Sequence, residues 1–155
     1  MLSANPSLLA GSGISGILHK AAGKELEKAA KALGPIKPGM AVITPAFDLS
    51  AKYIVHTVCP RYIKGSAKEK KELAGAYCSA LSFYDQLDDV ESIAFVSMGT
   101  GIYKWPLDLA AEIAVSELVK SKFKETTMYV VDDATRSMYQ YAHDSLKQVL
   151  SNDPP

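Results

Sequence analysis

Two stretches of this chain place glycine in a pattern that can do chemistry. The first is Gly11-Ser12-Gly13, which runs at once into an apolar, helix-patterned segment from Ile14 to Ala22. The second is Met98-Gly99-Thr100-Gly101-Ile102-Tyr103, which follows the short apolar run Ser92 to Ser97. Glycine lets backbone N–H groups approach a ligand closely, and a helix that follows turns its positive N-terminal end toward the same place. A chain can build a diphosphate cradle in this way without a lysine. One such loop is a weak signal, because a glycine turn before a helix is most often only a turn. A second loop of the same kind strengthens it.

Composition says what else the ligand site must be. The 155 residues make one domain, expected over 1–150 with a short tail at 151–155. Hydrophobic residues make up 48% and charged residues 22%, the balance of a globular chain rather than a disordered one. Lys plus Arg (17) equal Asp plus Glu (17), so no overall field draws in nucleic acid or an anionic membrane. An anionic ligand would have to be held by backbone N–H groups and helix ends. No apolar run reaches the length of a membrane span, and Met1 does not open a signal-peptide pattern. Cys59 and Cys78 have neither CxxC spacing nor enough histidines nearby for zinc, and they do not make a disulfide framework. Reduced thiols, a cytoplasmic location and the absence of any metal or cofactor are therefore expected.

The elements that must position the loops follow from periodicity. Met1 to Ala4 enters the first glycine loop with no strand of its own. Gly13 to Ala22 and Lys24 to Leu33 have helical spacing, and Gly34, Pro35, Pro38 and Gly39 end the second helix. Ala41 to Thr44 and Tyr53 to Val58 are strands, the latter apolar on both faces. His56 is expected to be a satisfied core histidine, and His19 to pack or cap. The basic run Lys64 to Lys71 is read as a solvated loop and first helical turn, with the helix continuing to about Gln86 and Cys78 buried in it. Ser92 to Ser97 is a strand, Pro106 opens a helix to about Phe123, and Thr126 to Val131 is the last strand. Asp132 caps a closing helix that carries Met138, Ala142, Leu146 and Val149 inward, with His143 at its surface. Trp105 and the tyrosines, lacking a basic groove, belong to core and cleft wall rather than to a nucleic-acid platform. Alternating strands and helices define a three-layer α/β domain, in which ligands sit beyond the carboxyl ends of the strands.

At this point the residues resemble a known family. The run ANPSLLAGSGISGILHKAAG is similar to the first ligand loop of macro domains, which read Asn-Ala-Ala-Asn, then Leu-Leu, a glycine run, Val-Asp-Gly and Ile-His-Arg-Ala-Ala-Gly. AVITPAFDLSAKYIVHTVCP and GTGIYKWPLDLAAEIA resemble two further family stretches, the second of them Ser-Thr-Gly-Ile-Tyr-Gly-Tyr-Pro. The resemblance implies an α/β/α fold with a central mixed sheet that binds ADP-ribose or related metabolites. It implies that Gly11, Ser12, Gly13 and Ile14 hold the diphosphate and distal ribose from one side. Gly99, Thr100, Gly101, Ile102 and Tyr103 would hold them from the other, with the Tyr103 ring on the distal ribose and Asn5 hydrogen-bonding that sugar.

The departures from the pattern bear on chemistry. Ser15 stands where active members carry the aspartate that activates or positions water, and a serine without an adjacent base does not act as a general base near neutral pH. Leu2 aligns with the first family asparagine, Gly99 with the serine before Thr-Gly, and Cys59 with a glycine. The family's opening strands, with the aspartate that recognises adenine, precede the stretch where this sequence starts. An uncovered edge on the last strand is then expected, and with it pairing of two copies or membership of a longer protein. Three readings follow. The first is an ADP-ribose binder with weak or absent hydrolysis. The second is an active ADP-ribosyl hydrolase, acting on protein or O-acetyl-ADP-ribose, that relies on Asn5. The third is an oligomeric interaction protein that keeps the fold without the ligand.

Overall fold

The computed structural model describes residues 1–11, 13–101 and 103–152. Ser12 and Ile102, both expected in the ligand loops, and the tail from residue 153 lie outside the described residues. Along the chain run β1 (Leu2–Ala4), α1 (Gly13–Ala22), α2 (Lys24–Leu33), β2 (Ala41–Pro45) and β3 (Tyr53–Val58). They are followed by α3 (Ala67–Leu81), β4 (Ser92–Val96), α4 (Leu107–Leu118), β5 (Glu125–Tyr129) and α5 (Asp133–Asn152). A 3-10 turn, Ser82–Gln86, extends α3.

The centre is β3, buried along its length after Tyr53. It pairs in parallel with β1 and antiparallel with β2, so that His56 stands opposite both Leu2 and Val42. Pro45 has no N–H to donate and sits at the end of β2, an outer strand of that sheet. Parallel β4 and β5 form a second sheet. The two sheets abut where the Met1 amino group donates to the Ala94 carbonyl at 2.6 Å.

Alternation along β3 builds the three layers. Ile54 and Val58 pack with the apolar residues of α1, α2 and the first loop, Leu26, Ala22, Ala30 and Leu8 among them. Val55 faces the larger cluster of Leu73, Tyr77, Phe95, Met98, Trp105 and Ala110. Thr57 lies on the same side and donates to the Ala76 carbonyl of α3 at 3.3 Å. This confirms the α/β fold with a mixed sheet.

Several expectations are corrected. Met1 to Ala4 does contain a strand; three residues suffice because the β3 edge is already in place and Leu2 is fully buried against α2. Cys78 is exposed rather than buried. In α5, Met138, Ala142 and Leu146 do pack on the core, but Val149 is 60% exposed, and the buried residue is Tyr139. The fourth helix stops at Leu118, well short of Phe123, and β5 ends at Tyr129, leaving Val131 outside it. Asp132 caps α5 as expected, accepting from the Thr135 N–H at 2.7 Å.

His56 is a core histidine, with Nε2 2.9 Å from the Thr44 hydroxyl, but its Nδ1 has no partner. Burial, then the neighbouring His19 and the Met1 amino group, push its pKa down to about 4. The folded state therefore holds His56 neutral, while the unfolded chain takes up a proton below about pH 6.5. Stability from this residue is full above pH 6.5 and is lost as pH falls toward 4, by about 3 kcal/mol in total. Urea unfolding at pH 7.5 and 4.5 should show this loss, and His56→Gln should reduce it by about that amount.

Candidate anion-binding site

The first loop leaves the carboxyl end of β1. Asn5 closes it: its carbonyl oxygen accepts from the Leu9 N–H at 3.2 Å and its amide donates to the Leu9 carbonyl at 2.8 Å. Leu8 is held in the left-handed region at φ 59° because its side chain is fully buried. A carbon placed on Gly11 would stand 3.6 Å from Asn5 Nδ2 and 3.9 Å from Ser15 Oγ, so these three residues meet. Gly13 opens α1 at φ +64° with open space where a side chain would go. Ile14 is 40% exposed beside it. Gly16, which the sequence reading passed over, is required: a side chain there would overlap the Gly11 carbonyl oxygen.

The second loop leaves β4 and is built around Trp105. The Trp105 N–H donates to the Gly99 carbonyl at 2.9 Å, and its indole N–H to the Pro60 carbonyl at 2.8 Å. Gly99 takes φ +82°, and a Cβ there would stand 2.6 Å from the indole and 3.0 Å from Cys59 Sγ. That contact gives Cys59 a structural role. Its sulfur fills the space beneath Gly99, and burial pushes the thiol up to about 12, out of reach of ordinary thiolate chemistry. Thr100 Oγ1 lies 3.2 Å from Ser97 Oγ, which is itself 2.9 Å from the Tyr139 hydroxyl. Gly101 faces open space. Tyr103 is half-buried, with the Arg61 guanidinium 5.4 Å over its ring, and Lys104 occupies a left-handed position at φ 62°.

A capping box steadies the approach to this loop. Ser66 accepts from the Glu69 N–H, while the Glu69 carboxylate accepts from the N–H groups of Ile63, Lys64 and Ser66. Those backbone bonds hold the carboxyl down at about 2. The ordered segment delivers the Tyr62 N–H to the Tyr103 carbonyl at 2.9 Å. Reading Lys64–Lys71 only as a solvated basic run missed this capping box, for which the Ser66-x-x-Glu69 spacing is the sequence signal.

Asn5, Gly11 and Ser15 thus come together in one loop, and Gly99, Thr100, Gly101 and Tyr103 in the other. The loops follow β1 and β4, the strands that meet at the Met1–Ala94 contact. The described residues contain no group of three His, Cys, Asp or Glu placed to hold a metal ion, and no helix long and apolar enough to cross a membrane.

The macro domain family model matches residues 2–114, and the chain belongs to that family. An uncharacterized protein of Fusobacterium nucleatum is 38% identical over 151 residues, covering 94% of this chain and 86% of that protein. The O-acetyl-ADP-ribose deacetylase of Citrobacter rodentium is 40% identical over 146 residues, covering 88% and 82%. The Oceanobacillus iheyensis macrodomain solved with ADP superposes with a TM-score of 0.86 at 30% identity, covering 95% of this chain and 83% of that one.

Within the second loop the two glycines should differ in tolerance. Gly99→Ala meets backbone strain and the indole together and should cost roughly 1–3 kcal/mol. Gly101→Ala, in open space with no left-handed φ, should stay within about 0.5 kcal/mol in the same urea titration.

Proposed function

We propose that the chain binds ADP-ribose or a related ADP-ribosyl metabolite between its two glycine loops and hydrolyses it weakly or not at all. The observation that carries this is bare backbone in open space at Gly13 and Gly101, one in each loop. N–H groups there, with the N-terminal end of α1, suit the oxygens of a diphosphate. Gly11, Ser12, Gly13 and Ile14 would take one side of it, and Gly99, Thr100, Gly101, Ile102 and Tyr103 the other. Asn5 spends one donor and one acceptor on Leu9, and a carboxamide keeps one of each in reserve for a sugar hydroxyl.

Weak hydrolysis follows from Ser15, which is 6% exposed and offers a neutral hydroxyl where a carboxylate would take a proton from water. The deacetylase named among the relatives supports the second reading, an active ADP-ribosyl hydrolase with water held by Asn5 and the substrate phosphates. We place the protein in the cytoplasm as one domain over residues 1–150, a reading that its two free cysteines support. Self-association would use β5, which among the described residues pairs only with β4 and leaves Tyr129 64% exposed.

Calorimetric titration with ADP-ribose, with adenosine as control, tests the reading. Heat with ADP-ribose alone is expected; none with either would select the interaction protein without a ligand, to be followed by light scattering. Incubation with O-acetyl-ADP-ribose should show little turnover. Substantial turnover that Asn5→Ala abolishes would instead establish the hydrolase.

A further inference from the structure

Among the described residues, three buried side-chain atoms have no hydrogen-bond partner: Ser15 Oγ, His19 Nδ1 and His56 Nδ1. They are gathered in one place. Ser15 and His19 stand one turn apart on the buried face of α1. The His19 ring lies 6.2 Å from that of His56 on β3, edge-on at 61°. At the other end, Ser15 Oγ sits beneath Gly11. A column of unsatisfied polar groups therefore runs from the floor of the first glycine loop to the central strand. Buried polar atoms are partnered in nearly all native structures, so three orphans on neighbouring elements call for a functional reason.

The loop above the column carries no cation of its own: residues 5–16, Asn-Pro-Ser-Leu-Leu-Ala-Gly-Ser-Gly-Ile-Ser-Gly, are uncharged. We propose that His19, set between Ser15 and His56, is the protonatable counter-charge of this loop, so that seating an anionic ADP-ribosyl ligand is accompanied by proton uptake at His19. This rests on the binding reading above. The buffer supplies the proton, and the His19 imidazole goes from neutral to singly positive. Protonation makes both ring nitrogens donors, so that Nδ1, unpartnered in the free chain, turns to Ser15 Oγ, whose own hydrogen turns toward the ligand. With serine at this position, no carboxylate stands between the imidazole and the anion.

The charges around the column fit this role. Burial lowers the pKa of His19 in the free chain, so it starts neutral, while Glu27 of α2 pulls the other way. From β3 the facing group is His56, itself held low and sensitive to the Met1 amino group. The Asp48 carboxylate lies by Gly23, just past the end of α1. A bound diphosphate adds negative charge at the loop end of the column and raises the His19 pKa. Affinity should tighten by roughly threefold to tenfold between pH 8 and pH 5.5 for a rise of about one unit.

The test is calorimetry of the full chain with ADP-ribose, whose diphosphate does not titrate near pH 6, in two buffers of different ionisation enthalpy such as succinate and bis-Tris. Apparent enthalpies that differ by about half a proton per ligand are expected, with the difference lost in His19→Gln and reduced in Ser15→Ala. Equal heats in both buffers, or a difference that survives His19→Gln, would overturn the proposal while leaving binding intact. Absence of heat in either buffer would defeat the binding reading and this one together. Should His19→Gln fail to fold, NMR titration of the His19 imidazole in the unaltered chain decides the matter. A midpoint that rises with ADP-ribose supports the proposal, and an unchanged one overturns it.

Discussion

The burial of β3 on both faces is the constraint on which the rest depends. Its alternate residues face α1 and α2 on one side and α3 on the other, and its edges hold β1 and β2. Because β1 is only three residues long, its place is fixed by pairing with β3 and by the burial of Leu2. The first glycine loop hangs from β1, so its position is inherited from β3. The second loop reaches the same strand by another route: Cys59 and Pro60, just past the end of β3, hold Gly99 and Trp105. Both loops are thus tied to one rigid element, which is what precise backbone recognition of an anion requires.

The division of labour between the loops is physical. The first is closed by polar means, through the Asn5 carboxamide, and opens onto a helix end. The second is closed by packing, with the indole against Gly99 and the ordered segment ending at Glu69 behind Tyr103. In the proposed cradle single residues can change the chemistry while the backbone stays put. Ser15 is such a residue. It puts a neutral hydroxyl beneath Gly11, one helical turn from His19.

Much of this was legible in the letters. Gly13–Ala22, Lys24–Leu33 and Tyr53–Val58 have periods clean enough that their bounds in the structure coincide with those read from the sequence. Glycine spacing located both loops because left-handed backbone and bare N–H groups demand that residue. What was not legible depends on contacts distant in sequence. The β1 strand is too short to show a period and exists only against β3. Cys78 lies in an apolar helix but on its solvent side, and Val149 falls in the last turns of α5, beyond the core it was expected to join. Gly16 and Cys59 owe their roles to Gly11 and Gly99, neighbours that spacing alone does not reveal.

In the proposed function, backbone amides of the two loops hold the ligand. The most direct test follows the amide resonances of 15N-labelled protein as ADP-ribose is added. The largest shifts are expected at Gly11, Gly13 and Ile14 and at Gly99 through Tyr103, with little change in the groove lined by Val115, Met128 and Tyr139. Shifts confined to that groove, with both glycine loops unmoved, would contradict it.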